Sequence, residues 1–420
     1  MTLTNSDLLP RPFARLAWSN LAAQSAEQVA LAAAPIVAVL AIGADAGEAG
    51  LLQAVQSLPF LLLALPAGLL ADSMPLRRLM AMAEAARALS LLAIVALATI
   101  GALTLPLLAA LGFVGACGTV AYGVCAPALV PALVAPSQLA AANGRIELAR
   151  TGAFLAGPAL AGVLVGWAGA GAAFAVAAVL SLYAAILMVT LAEPPRQVAP
   201  RRPVAQELRA GAAFVLSHPL LRPVLLTQLV FNAAFFVLMA VYVPYAVARL
   251  GLSASGVGAT LSCYGAGMVA GALLAGRALR RMAFGAAIAV GPLSGLAAAV
   301  AMVLTIWVPS PVIAGASFFL LGAGPIVWVV ATTTLRQALT PPEMLGRASA
   351  MFMLATGARP VGAAVAALIA SRFGPEACLV SAAAGFFVQA LLILASPVLQ
   401  LAQQPSLAPA NPRAAPSCTA

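Results

Sequence analysis

Few side chains in this 420-residue chain can do charge or acid–base chemistry. Glu27 stands in an apolar run with Asn20, Gln24 and Gln28, which recur at helical spacing and mark one polar face. On a helix starting near residue 14, Glu27 lies about 20 Å from its beginning. A carboxyl group at that depth could exchange a proton or attract a cation; an acid paired inside the bundle is the alternative. Glu84 and Arg87 stand at i and i+3, close enough to pair, or to relay charge at a cavity edge. Glu147 and Arg150 repeat that spacing. Arg359, in Thr356-Gly-Ala-Arg359-Pro360, is the other deep charge. An Arg at such depth needs an acid, water or an anionic ligand; Glu27 and a substrate oxyanion are the candidates. Gln228 and Asn232 supply a second polar face, and Phe231, Phe235, Phe236, Tyr242, Trp328 and Tyr122 could wall an apolar site.

Other chemistries drop out. The five cysteines (Cys117, Cys125, Cys263, Cys378 and Cys418) form no C-x-x-C pair, and the chain has one histidine, His218. These spacings assemble no zinc site, so no metal is expected. All 21 basic residues are arginine. Without lysine no Gly-x-x-x-x-Gly-Lys phosphate loop exists, which argues against ATP-driven transport by this chain alone, and the apolar composition argues against a soluble enzyme. The net charge of +10 is spread singly or in pairs at the ends of apolar runs, which argues against nucleic acid.

The elements that must position these residues follow from composition. Hydrophobic residues make up 63% and charged ones 8%, against about 45–50% and 25% in ordinary globular proteins. The solvent of this chain is mostly lipid. A spanning helix needs about 20 apolar residues. Twelve candidates occur, at 14–41, 48–71, 76–101, 104–133, 140–168, 170–192, 220–248, 253–277, 282–307, 310–336, 345–371 and 375–400. The first is too long for a cleaved signal core. Loop arginines (Arg77, Arg78, Arg145, Arg201, Arg202, Arg280, Arg281) fall on one side and Asp45, Glu48 and Glu376 on the other. The positive-inside rule puts the arginine-rich side and both termini in the cytoplasm.

One connection is long. Its Pro/Arg-rich start reads as a linker, and Gln206–His218 as an amphipathic surface helix. The expected organisation is a six-helix half over 1–192, a linker with helix over 193–219, a second half over 220–400 and a disordered tail over 401–420. The halves are related: Gly144-Arg145 and Pro158 recur as Gly346-Arg347 and Pro360 at the same spacing, and Ser19-Asn20-Leu21 recurs as Thr227-Gln228-Leu229. Two similar halves in one orientation are a transporter architecture.

With these segments in place, the chain resembles the major facilitator superfamily along nearly its whole length. Gly68-Leu-Leu-Ala-Asp72-Ser-Met-Pro-Leu-Arg77-Arg78 is similar to that family's loop motif, departing at Ser73, Pro75 and Leu76. The resemblance implies a cytoplasmic gate that includes Gly68, Asp72, Arg77 and Arg78, with Glu147 and Arg150 placed near it. Gly152, Gly157, Pro158 and Gly162 look like the motif on the fifth helix of its antiporters, one residue away in the final glycines. More narrowly, Arg15-Leu-Ala-Trp-Ser-Asn20 through Glu27, Glu84-Ala-Ala-Arg87, Pro127-Ala-Leu-Val-Pro131 and Gly346-Arg347-Ala-Ser-Ala350 resemble the enterobactin-exporter-like branch, which includes multidrug exporters. Ala26-Glu27 replaces a common Gly-Asp, and the basic residue often found on the fourth helix is absent.

The expectation is an all-helical integral membrane fold of two six-helix halves. It would export a small amphipathic molecule, siderophore-like or drug, by proton antiport, using the proton gradient and no cofactor. It would work as a monomer in the bacterial inner membrane. A nutrient importer of the same fold, or a non-transporting sensor on this scaffold, stays open as the alternative.

Overall fold

The computed structural model describes residues 10–135, 138–193, 204–341 and 344–403, all helix and loop with no strand among them. In lipid a helix satisfies every backbone polar group within itself, which is why apolar runs of this length fold so. The first half comprises α1 (Arg11–Val37, continued by a π-turn over Ala38–Ile42), α2 (Ala46–Leu62), α3 (Ala64–Ser73), α4 (Leu76–Thr99), α5 (Leu105–Leu133), α6 (Leu139–Ala168) and α7 (Ala170–Val189). The connecting helix is α8 (Val204–Ser217). The second half comprises α9 (Leu221–Ala248), α10 (Ala254–Arg281), α11 (Phe284–Leu304), α12 (Pro311–Leu339), α13 (Leu345–Leu354) and α14 (Ala358–Leu394).

Two spans are interrupted. The second is α2 followed by α3, broken at Leu63; Pro66 has no N–H for the carbonyl four residues back, which weakens the helix there. The eleventh is α13, a 3-10 turn over Ala355–Gly357 and the start of α14, just ahead of Pro360. Gly374, with φ 81°, divides α14 into the eleventh and twelfth spans, and Gly169, with φ 85°, makes the matching turn between α6 and α7. Only glycine takes such φ values freely. Ten stretches are long and apolar enough to cross a bilayer as they stand. Dividing the last and adding the broken pair gives the twelve expected spans among the described residues. Trp18, Trp167 and Trp307 are exposed near helix ends, the level at which amphipathic rings sit in a membrane surface.

The halves meet unevenly. At the face carrying Asp45, Glu48 and the Arg249–Glu376 pair (3.1 Å), α2 packs on α14 and α6 packs on α10. A Cβ added at Gly50 would come within 2.8 Å of Ala367, one at Gly162 within 2.4 Å of the Ala254 carbonyl, and one at Gly258 within 2.4 Å of the Pro158 carbonyl. The Ala159 N–H donates to Ser262 Oγ across the same seam at 2.9 Å. Toward the arginine-rich face these contacts end: an added Cβ at Gly68, Gly144, Gly152 or Gly346 meets nothing within 4 Å. The space between the halves is therefore closed at the acidic face and, among the described residues, open at the arginine-rich one.

The surface helix docks on the second half. Glu207 of α8 pairs with Arg347 of α13 through two hydrogen bonds, and Gly211 packs against the Arg347 backbone. The Pro/Arg-rich stretch 194–203 lies outside the described residues, as do 404–420. At the end of the described residues, the Leu401 carbonyl accepts the Gly285 N–H at 2.8 Å and the Ala402 carbonyl accepts that of Phe284 at 3.3 Å, which fixes both residues at the start of α11.

Candidate functional site

Glu27 faces the space between the halves from α1. It lines a central cavity of about 190 Å³ that also touches Gln56, Phe60, Phe154, Phe236, Tyr264 and Arg359. No protein group makes a hydrogen bond or ion pair to its carboxylate among the described residues. On its other side a smaller cavity of about 50 Å³ connects it with Arg87, Gln56 and Thr119, room for a few waters. Of its neighbours on α1, Asn20 is buried and donates to the Ile146 carbonyl of α6 at 3.4 Å, and Gln28 is buried under Gly157. Gln24 is half-buried.

Glu84 and Arg87 pair on α4 as their spacing implies. Arg87 Nη1 lies 2.8 Å from Glu84 Oε1 and donates to Oε2 at 3.1 Å. The guanidinium also donates to the Ala23 carbonyl at 3.2 Å and to Thr119 Oγ1 at 2.7 Å. Gly115 and Gly118 of α5 leave the space it occupies: a Cβ at Gly118 would lie 2.6 Å from the Ala83 carbonyl. The pair is buried, and every nitrogen of its guanidinium makes at least one hydrogen bond.

Arg359 is placed differently. It lines the central cavity and also a wider one of about 390 Å³ toward the arginine-rich face, beside Gln228, Asn232, Trp328 and Arg336. Among the described residues no acid pairs with it. Its Nε–H donates to Asn232 Oδ1 at 3.1 Å, and Asn232 is held by donating to the Gln228 carbonyl at 2.8 Å. Its guanidinium carbon lies 5.2 Å from the ring centre of Phe60 and 5.5 Å from that of Phe236, cation–π distances. Glu27 and Arg359 thus share a cavity without pairing. Gln228 donates to the Phe352 carbonyl at 3.0 Å, the counterpart of the Asn20 bond in the first half.

Among the described side chains, the residues grouped as a gate do not meet across the halves here. The Arg77 guanidinium donates to the Val189 and Leu191 carbonyls, both at 3.2 Å, inside its own half. The Glu193 carboxylate accepts the Leu76 and Arg77 backbone N–H groups at 3.0 Å each, an anion at a helix N-terminus. Glu147 and Arg150 pair with each other, and Arg150 lies over Phe154 at 5.6 Å. Gly68 is in the open region and the Asp72 side chain lies outside the described residues. Arg78 makes no interhelical bond through its side chain among the described residues. The motif on α6 divides: Gly157 packs inside its half, Pro158 and Gly162 form the seam with α10, and Gly152 faces open space.

Of the aromatic candidates, Phe231, Phe235, Phe236 and Trp328 line cavities. Tyr122 and Tyr242 do not; they are buried and bonded to Ser19 and Thr260. Sequence reasoning missed Gln56, Phe60, Phe154, Tyr264 and Arg336. Polar Gln53, Gln56 and Ser57 inside an apolar span were a usable signal, as was the Gly112–Gly115–Gly118 stripe that makes room for Arg87. Phe154 and Tyr264 had none.

The family model described as Major Facilitator Superfamily matches residues 16–358. A curated relative, the uncharacterized MFS-type transporter y4rN of Sinorhizobium fredii, is 31% identical over 252 residues, which cover 57% of this chain and 60% of the relative. Among solved structures, a bacterial homolog of the human lysosomal transporter Spinster, inward-facing and unoccupied, is similar with a TM-score of 0.75 at 14% identity, covering 94% of this chain and 98% of that one. An inward-facing bacterial homologue of the iron transporter ferroportin has a TM-score of 0.70 at 16% identity, covering 92% and 98%. The nucleoside transporter NupG has 0.71 at 12%, covering 92% and 99%. At these identities the likeness concerns the fold.

Proposed function

The chain belongs to the Major Facilitator Superfamily, and on that premise we propose that it is a secondary active exporter of a small amphipathic molecule, siderophore-like or drug, driven by proton antiport. We place it in the bacterial inner membrane with the arginine-rich face and both termini cytoplasmic, as the arginine distribution favours. The cavity then opens to the cytoplasm, where an exporter collects its cargo.

The observation that carries the reading is Glu27: a carboxylate at mid-membrane depth, facing the cavity, with no hydrogen-bond or ion-pair partner among the described residues. A carboxylate held by an internal cation would be locked in one protonation state. This one is left to a proton or to cargo, and a carboxyl reached by both can exchange one for the other. Alternating access requires the α2–α14 and α6–α10 seams to part while the open end closes. Those seams are built from Gly50, Gly162 and Gly258 on backbone, so they separate without breaking an ion pair. Closure would bring the gate residues Gly68, Asp72, Arg77, Arg78, Glu147 and Arg150 toward the second half.

Metabolite profiling of cells lacking the chain tests direction. We expect one compound to build up inside and to fall again on complementation. Everted vesicles should then accumulate that compound when respiration acidifies their lumen, and lose it with an uncoupler. Depletion of a compound from the deletion strain, or accumulation indifferent to the uncoupler, contradicts the reading.

A further inference from the structure

Two opposite charges face one cavity and neither is answered. Among the described residues Glu27 has no hydrogen-bond or ion-pair partner, and Arg359 has Asn232 and two rings. The Arg359 contacts fix its orientation. Its Nε is committed to Asn232, and its planar group lies against Phe60 of one half and Phe236 of the other. Its two terminal nitrogens make no hydrogen bond to the protein among the described residues. These are the donors that hold a carboxylate two-pronged. Between the charges stand aromatic walls drawn from both halves: Phe154 meets Tyr264 at 5.8 Å between ring centres, and Tyr264 meets Phe235 at 5.5 Å.

We propose that this cavity takes an aromatic zwitterion, its cationic group on Glu27, its anionic group on Arg359 and its ring among Phe60, Phe154 and Tyr264. The proposal rests on the reading of Glu27 as the exchanging acid, and it gives that exchange a cause. The ammonium of the cargo and a proton compete for one carboxylate. Cargo binding expels the proton to water, and proton binding releases the cargo, as antiport requires. A purely anionic cargo would bind best with Glu27 protonated, so cargo and proton would travel together. A purely cationic cargo would be repelled by Arg359. Only a ligand carrying both charges satisfies both groups and still competes with the proton.

Calorimetry on the purified full chain at neutral pH tests this with a charge series. Phenylalanine and 4-(aminomethyl)benzoate are the zwitterions, with charges close together and far apart. The controls with one charge are 4-methylbenzoate and 4-methylbenzylammonium, and 6-aminohexanoate lacks the ring. At least one aromatic zwitterion should bind roughly ten-fold or more tighter than every control, the size of one charge-assisted hydrogen bond. Its binding heat should depend on buffer ionisation, which reports proton release. Glu27→Gln should abolish that release and reduce affinity to that of 4-methylbenzoate. Arg359→Gln should reduce affinity to that of 4-methylbenzylammonium. Arg359→Lys and Asn232→Ala, which disturb the charge less, should fall in between and serve if Arg359→Gln does not fold. The proposal is overturned if neither zwitterion exceeds its controls, or if the Arg359 variants bind like the wild type. A cation bound best, with proton drive intact in vesicles, would sink the zwitterion and spare antiport. A zwitterion bound through both residues, with no proton drive, would do the reverse.

Discussion

The two halves are built on one pattern and have divided its chemistry. In the first half, Glu27 and Gln28 sit on α1 and Gly157 precedes Pro158 on α6; in the second, Phe235 and Phe236 sit on α9 and Arg359 precedes Pro360 on α14. Where Gly157 packs on Gln28, Arg359 lies over Phe236. The amide bonds that steady the pattern are kept: Asn20 to Ile146 and Gln228 to Phe352. The first half thus holds the cavity's acid and a closed buried ion pair, and the second holds an open cation among rings. What is repeated is scaffold, and the positions that diverge are those facing the cavity.

The comparison can be broken or sharpened by substitution. The largest effect is expected at the buried pair, which has no counterpart among the described residues of the second half. Arg87→Ala strands Glu84 and should cost about 3–5 kcal/mol, whereas the double change Glu84→Leu with Arg87→Met should cost far less; thermal unfolding in detergent reads both. Equal losses would mean that the pair itself is not what matters. Next come the seams. Gly258→Ala puts a Cβ against the Pro158 carbonyl and should disfavour the present state by about 1–3 kcal/mol, raising thiol labelling of a cysteine placed at the acidic face. Gly144→Ala and Gly346→Ala, in matching open positions of the two halves, should each stabilise by up to about 1 kcal/mol. The α8 tether is smaller still: Glu207→Gln should lower the melting temperature only slightly, an effect that fades in high salt.

The smallest effect is at His218, between α8 and α9, with no counterpart before α1. Its Nδ1 accepts the Leu220 and Leu221 N–H groups at 3.2 and 3.4 Å, and burial lowers its pKa. The fold therefore favours the neutral ring. The stabilisation is complete above the unfolded value of about 6.5 and is lost as pH falls through the lower folded value. The melting temperature of the wild type should drop relative to that of His218→Gln between pH 7 and 5.

The fold was legible because apolar runs of spanning length have few alternatives. The interruptions at Leu63 and Ala355–Gly357 were not, although Pro66 and Pro360 stood in view, because other prolines such as Pro158 sit in unbroken helix. Glu27, Glu84, Arg87 and Arg359 were legible for a similar reason: a charge in a membrane-length segment has few innocent explanations. Their partners were not. The clamp on Arg359 joins Phe60 and Phe236 from different halves, and no helical spacing relates those. Arg77 carries the charge expected of a gate, yet its contacts run to the end of α7, a pairing set by how helices pack. Tyr122 and Tyr242 read as wall residues by type, while packing turned both into buried hydrogen bonds.

The claim on which the rest depends is that Glu27 carries the exchange. Glu27→Gln, reconstituted in liposomes with the compound that accumulates in deletion cells, separates two activities. The account predicts that exchange of labelled for unlabelled compound at equal pH persists once the concentration is raised to offset the weaker binding, while uptake against a gradient driven by a pH difference is lost at every concentration. PH-driven accumulation by Glu27→Gln at the wild-type level would contradict it.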